Sequence, residues 1–404
     1  MKIVLSHNFY GSSAPSGENN VYLAERDLLK DNGHEILEYT RESDEIRDKG
    51  IRGDIKGALS TPWNPFSVRG LKRILDIEKP DILHVHNTFP LLSPAIFRTT
   101  RKSMIATVLT LHNYRIFCAG AIPLRDGLPC TECLDKWSVV PALRYGCYRQ
   151  SRLATIPLAI MITLHRKIGT WHKDVDAFIA LTEFQKNKMI EAGLSSDRIH
   201  TKSHFYANPP PIIPWEGHDP RIVFIGRLSK EKGVHILIGA WQRWGPDVPL
   251  LDIIGDGPER SFLEKVVSGS DIKGKITFYG QLPFPETQEM LSRSRLLILP
   301  SLWFEGFPMV IREAFSLGIP VVASRLGSIP CIVTEGVNGR LFTPGDPDDL
   351  YRVVKGLWME QEELSRMADA ARSEFEEKYT AEKNYKRLME IYEAAISARK
   401  KKNI

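Results

Sequence analysis

The chain has 404 residues, 43% hydrophobic and 25% charged, with a net charge of +5. That length exceeds one typical core and predicts two domains of roughly 200 residues in the composition range of soluble globular proteins. No run of about 18 apolar residues offers a membrane-spanning helix, and Met1–Ser6 reads as a strand, not a charged-then-apolar leader, so the expected compartment is the cytoplasm.

Strand and helix patterns alternate from the start. Lys2–Ser6 reads as a strand, Val21–Asp31 as an amphipathic helix and His34–Tyr39 as a second strand. Further strands follow at Asp81–His86, Ala106–Leu111 and Asp176–Leu181, which predicts a parallel sheet covered on both faces. The first loop, His7 to Gly17, is long and polar and lacks the compact three-glycine spacing of a dinucleotide fingerprint, which argues against a dehydrogenase. Gly17 would let backbone approach a phosphate or an acceptor closely. Glu18 and Asn19 would either face the acceptor or cap the helix.

His84 and His86 share a face by the period-two rule and read as cleft-lining or core residues; with no third ligand in the neighbouring sequence, a metal role is disfavoured. His112 ends its strand, the edge where open α/β sheets bind ligands. Four of the five cysteines, Cys118, Cys130, Cys133 and Cys147, fall within thirty residues, two of them as Cys-x-x-Cys. A reducing compartment disfavours disulfides, leaving a structural zinc or an insertion of idle thiols.

The positive charge belongs to the first half, where residues 1–207 hold 28 Lys and Arg against 22 Asp and Glu, while the remainder holds 26 against 27. Between Lys136 and Lys173 seven cations stand with no acidic residue, around an apolar run that Pro157 interrupts. This is either a face for anionic lipid headgroups or a buried helix with basic flanks. Without aromatic stacking platforms, nucleic acid is not an expected partner.

Residues 208–214 carry four prolines in seven positions and read as a linker. A second alternating series follows. Ile222–Ile225 runs into Gly226-Arg227, with Lys232-Gly233 before a helix; a planar fork and a point charge together suit a diphosphate. Leu251–Ile254 leads into Gly255-Asp256-Gly257-Pro258, and Ile276–Tyr279 into Gly280. Leu296–Leu299 then leads to Glu305-Gly306-Phe307-Pro308-Met309-Val310-Ile311-Arg312-Glu313. A helix opening here would present unpaired N–H groups to an anion, with Glu305 at the lip of the turn and Glu313 about two turns down the helix.

These ordered motifs resemble the retaining GT4 family of GT-B glycosyltransferases. The resemblance is nearly continuous through the second half and looser at Ser16-Gly17-Glu18-Asn19 and Thr110-Leu111-His112-Asn113. It implies an α/β GT-B fold, two Rossmann-like domains facing a central cleft. The expected boundaries are 1–207 (with a Cys-rich insertion at about 113–148), a linker at 208–220, 221–378, and a final helix at 379–404 crossing back to the first domain. The implied catalytic set is His112, Glu305, Arg227 and Lys232. Donor binding would use Gly17, Arg227, Lys232, Gly255, Glu305, Gly306, Phe307, Met309, Val310 and Glu313, with Glu18 and Asn19 on the acceptor side. Arg227 and Lys232 would neutralise the departing diphosphate, Glu313 would take ribose hydroxyls, Glu305 sugar hydroxyls, and His112 would cover the sugar. No catalytic metal is expected.

The implied activity is retaining transfer of a hexosyl or N-acetylhexosaminyl group from a nucleotide diphosphate sugar to a glycan hydroxyl. The acceptor would be lipid-linked, in cell-surface polysaccharide or glycoconjugate synthesis, with peripheral contact at an anionic membrane. Two departures from the pattern stand out: Pro308 replaces a second glycine and removes one N–H, and Cys331 stands where a glutamate is common. A non-catalytic nucleotide-sugar-binding protein and a sugar-nucleotide epimerase are the alternatives.

Overall fold

The computed structural model describes residues 1–11 and 16–402. Residues 12–15 of the first loop, and the last two of the predicted final helix, lie outside the described residues. Contacts divide the chain into two units. The first comprises Met1–Pro123, Thr131–Ser203 and the stretch from Asn384 onward; the second comprises Leu124–Cys130 and His204–Lys383. The boundary at Ser203/His204 thus precedes the proline-rich segment, and the hairpin inside the Cys-rich insertion clusters with the second unit.

In the first unit the strands are β1 (Lys2–Phe9), β2 (Glu35–Glu42), β3 (Ile82–Asn87) and β4 (Ala106–Thr110). The hairpin strands β5 (Leu124–Arg125) and β6 (Leu128–Pro129) come next, then β7 (Ala177–Ala180) and β8 (Ile199–Thr201). The sheet order is β2-β1-β3-β4-β7-β8, with every pairing parallel. Parallel strands buried on both faces read as apolar runs, which is why β3 and β4 are buried throughout. One face is covered by the helix Gly17–Asp31 together with the last helix, Ala381–Lys402, whose Leu388, Ile391, Tyr392 and Ala395 join the core of Ile3, Leu5, Ile82 and Val108.

In the second unit the strands are β9 (Arg221–Ile225), β10 (Leu250–Ile254), β11 (Ile276–Gly280), β12 (Leu296–Leu299), β13 (Val321–Ser324) and β14 (Gly339–Phe342). Their order, β11-β10-β9-β12-β13-β14, is that of a doubly wound sheet whose direction of winding reverses between β9 and β12. The crevice beyond the carboxyl ends of those two strands is where such sheets hold ligands.

Two local expectations change. Pro157 does not end the apolar stretch, because the helix Arg152–Lys167 runs through it, with Leu158, Met161 and Ile162 anchored in a cluster with Phe89 and Ala142. The helix after Glu305 starts only at Met309, so Glu313 lies just past its first turn and not two turns down.

Candidate active site

In the second unit the predicted donor residues fall after β9 and β12, at the switch point, except Gly255, which follows β10. Gly233 has φ +70, and a Cβ there would stand 1.9 Å from Pro300 O, so only glycine lets the two loops meet. Leu302 N donates to Glu231 O at 2.8 Å across the same junction. The approach carries Lys232 Nζ to within 2.7 Å of Glu305 Oε1. Glu305 is buried, and the same oxygen accepts from Ser301 Oγ at 2.7 Å and Trp303 Nε1 at 3.0 Å. Three donors therefore fix one carboxylate. Arg227, on the β9 loop, is exposed. Gly255 is crowded too: with φ +135, a Cβ would lie 2.0 Å from Gly226 O.

Met309 and Val310 open the helix, so their amides have no intrahelical acceptor. Pro308 precedes them with φ −67 and supplies no N–H. Gly306 and Phe307 are buried, and the Phe307 ring packs edge-on against His204 and Tyr379, at centroid distances of 5.7 and 5.5 Å. Glu313 is buried beside Arg312, whose guanidinium stands 3.3 Å away, and accepts from Gln288 Nε2 at 3.3 Å. Burial raises the Glu313 carboxyl above its usual range despite the Arg312 charge. Cys331 is exposed at the end of a short 3-10 turn.

In the first unit, His112 follows β4 and its Nε2 lies 3.0 Å from His86 Nδ1. Gly17 is the first residue of its helix and Ser16 the N-cap, so Glu18 and Asn19 do not cap it. They stitch loops together instead: Asn19 Oδ1 meets His7 Nε2 at 2.9 Å, and Asn113 Nδ2 donates to Glu18 Oε1 at 3.0 Å. Behind His86 is a group absent from the sequence reading. Glu25 Oε1 lies 3.3 Å from His86 Nε2 and 3.2 Å from His84 Nδ1, while Glu25 Oε2 accepts from Lys202 Nζ at 2.7 Å.

Glu25, His84 and His86 are thus the third-ligand arrangement that the local sequence did not reveal; their ligand atoms lie within 4.8 Å of one another. A cation is nevertheless a poor occupant. The Lys202 ammonium already neutralises the carboxylate, and both His84 nitrogens are engaged, by Tyr392 and Thr110 hydroxyls at 2.8 Å. Burial alone would raise the Glu25 carboxyl, but Lys202 and the histidines hold it well below its usual range.

The Cys-rich insertion is divided: Cys118, Cys133 and Cys147 belong to the first unit, and Cys130 belongs to the hairpin that clusters with the second. None of the four is in a disulfide, and among the described residues they form no group with three sulfurs within 4.8 Å. Burial, with Cys133 and Cys147 nearby, pushes the Cys118 thiol up to about 12, so without a metal it stays protonated at neutral pH.

Two family models tile this chain: residues 17–203 match Glycosyltransferase Family 4, and residues 210–374 match Glycosyl transferases group 1. The chain belongs to the GT4 family. Among relatives, it is 26% identical over 362 residues to the sulfoquinovosyl transferase SQD2 of Arabidopsis thaliana, covering 86% of this chain and 63% of that enzyme. It is 22% identical to the phosphatidyl-myo-inositol mannosyltransferase of Mycolicibacterium smegmatis, covering 96% of this chain and 93% of that one. Among solved structures, Anabaena HepE in complex with UDP superposes with a TM-score of 0.65 at 17% identity, over 96% of this chain and 99% of that one. The shared architecture is the GT-B fold.

Within this GT4 chain the glycine-flanked motifs were readable because each is contiguous. The Glu25–Lys202 pair was not, because its members are 177 residues apart. One local sign existed: Glu25 occupies the middle of the buried stripe Val21, Tyr22, Leu28 and Leu29, where an apolar residue would be usual.

Proposed function

We propose that this GT4 protein is a retaining glycosyltransferase. It would transfer a hexosyl or N-acetylhexosaminyl group from a nucleoside diphosphate sugar to a hydroxyl of a lipid-linked glycan, in cell-surface polysaccharide or glycoconjugate synthesis. The observation that carries this proposal is the buried Glu305 carboxylate held 2.7 Å from Lys232 at the switch point, on loops that also bear Arg227 and the opening amides of a helix. Departure of a diphosphate develops negative charge, and fixed cations and amide dipoles aimed at that charge lower the barrier without reorganising. In this scheme Arg227 and Lys232 take the diphosphate and Glu305 takes sugar hydroxyls. Glu313 takes the ribose hydroxyls and His112 contacts the sugar. The cations do the work that a divalent metal does elsewhere, so none is needed for catalysis. Retention is proposed from the family, and same-face attack from the lack of an evident carboxylate nucleophile in the sequence. That HepE was solved with UDP favours a uridine nucleotide as donor.

For the acceptor, the first unit carries a cavity of about 700 Å³ between the helices Gly50–Ser60 and Arg152–Lys167, at the ends of β1 and β3. Its lining includes the exposed Ile55 and Leu153 beside Arg47 and Arg149, with Asp54 4.0 Å from Arg149. Apolar and cationic groups on one face suit a lipid-borne acceptor and peripheral contact with an anionic membrane at its inner, cytoplasmic side. Among the described residues no helix is long and apolar enough to cross a membrane.

The deciding experiment offers the purified protein a panel of nucleotide sugars, by thermal shift and then by donor turnover. Stabilisation by one donor, with slow hydrolysis lost in Glu305→Gln, supports a transferase. Binding without turnover leaves a non-catalytic binding protein, and donor conversion without an acceptor indicates an epimerase. A structural zinc on Cys118, Cys130, Cys133 and Cys147 is proposed separately; elemental analysis of protein prepared without chelator finding no zinc would remove it.

A further inference from the structure

Four residues of the second unit close a ring of polar contacts around Glu313. They come from three separate segments: Tyr206 from the stretch after Ser203, Gln288 from the helix Phe284–Arg293, and Arg312 and Glu313 from the helix Met309–Ser316. Gln288 Nε2 donates to Glu313 Oε2 at 3.3 Å, and a guanidinium nitrogen of Arg312 donates to Glu313 Oε1 at 3.3 Å. Tyr206 touches both of these donors. Its hydroxyl donates to Gln288 Oε1 at 3.2 Å, and the Arg312 guanidinium lies 5.2 Å from the centre of its ring, within cation–π range. Arg312 is also tied down by a hydrogen bond to Phe205 O.

The direction of the amide follows from its neighbours. An ionised carboxylate only accepts, so it must meet the amide nitrogen of Gln288; Oε1 then faces Tyr206, where a donor satisfies it. Gln288 is only 2% exposed, which leaves little room for water to replace the phenol. Without that hydroxyl the amide oxygen is buried and unpaired, or the amide turns over and sets its oxygen against the carboxylate. The same donors also keep Glu313 an acceptor: burial raises its carboxyl, and the Arg312 charge and the Gln288 bond oppose that rise. With one donor fixed on each oxygen, the plane of the carboxylate is set. A ribose presents two neighbouring hydroxyls, which match the two oxygens of one carboxylate held in a single orientation. We propose that Tyr206, acting through Gln288 and Arg312, is a positioning residue that orients Glu313 for the two ribose hydroxyls of a nucleoside diphosphate. The proposal rests on the glycosyltransferase reading, in which Glu313 takes those hydroxyls.

The test is calorimetric titration of the full-length protein. UDP, GDP and ADP are compared first, and the one that binds most tightly is then compared with its 2′,3′-dideoxy form, which lacks both ribose hydroxyls. Wild-type protein should bind the ribose form the more tightly. Tyr206→Phe keeps the ring over Arg312 and removes only the hydroxyl. It should weaken the ribose form about tenfold, the scale of other outer-shell orienting partners, and leave the dideoxy form unchanged. Gln288→Met should split the two ligands in the same way, and it replaces Tyr206→Phe if that variant does not fold. In a Glu313→Gln background Tyr206→Phe should cost nothing further, since no carboxylate remains to be oriented. Equal weakening of both forms, or an unchanged affinity for the ribose form, overturns the proposal. Wild-type protein that binds the two forms equally removes Glu313 from the ribose instead, and wild-type protein that binds none of the three nucleotides removes the donor reading itself.

Discussion

The two sheets handle charge in opposite ways. In the second unit the Lys232–Glu305 pair rides on loops at a sheet edge, and Lys232 stays partly open to solvent. In the first unit the Glu25–Lys202 pair is sealed in, with both side chains at most 3% exposed. A pair at an edge can exchange its partner for a ligand at little cost. A sealed pair has no such option, because removing one charge strands the other in a low-dielectric interior. The first is suited to binding, the second to holding neighbouring groups in one state.

The strongest way to break that comparison is to remove one sealed charge. Glu25→Leu should destabilise the first unit by about 3–5 kcal/mol, because Lys202 is left buried and unpaired. Adding Lys202→Met should recover most of the loss. Chemical denaturation of both variants checks this, and equal stability of the single and double variants would show the pair to be ordinary.

Removing a charge at the sheet edge should do the reverse. Lys232→Ala and Arg227→Ala should leave the fold nearly as stable while cutting turnover by about 10²–10³, or roughly 3–4 kcal/mol of transition-state stabilisation. Near wild-type rates at saturating donor in both variants would remove the diphosphate assignment.

Acid sharpens the contrast at smaller scale. His7, held near 3 by burial, and His84, held well below its ordinary value, stay neutral in the folded first unit. His34, His165 and His200 are lowered there as well, against His218 and His235 in the second unit. A histidine with a depressed folded pKa is protonated first in the unfolded chain. Its contribution is therefore complete above the unfolded value of about 6.5 and shrinks as pH falls towards the folded one. Glu313, raised by burial, has the opposite sign and is relieved on acidification. Hydrogen exchange at pH 7 and pH 5 should show protection lost first in β1, β3 and β4, by about tenfold or more per pH unit. Loss in step across both sheets would contradict it.

The smallest effect concerns the surface. Charge reversal at Arg149 and Arg152 should weaken binding to anionic vesicles by about 1 kcal/mol for each cation and leave donor hydrolysis unchanged. Equal binding to neutral vesicles would mark the helix as an ordinary packed one.

Strand alternation and the glycine-flanked motifs were legible because they are local: a glycine followed by Arg227 and Lys232, or Glu305 eight residues before Glu313, lies within one loop and one helix. The sequence alone therefore determined the α/β class and the parallel sheets. The long-range geometry was not legible. Gly233 looks like any helix-opening glycine until Pro300 O is found against it. His86 could not be told from a core histidine, and Glu25 looked like one more charge on a helix, until folding brought Lys202 to them from the far side of the sheet. Contacts of that kind are decided by sheet order, because only the assembled sheet, covered by its helices, excludes water. Once water is gone, each buried donor must find an acceptor among residues that the chain itself keeps far apart.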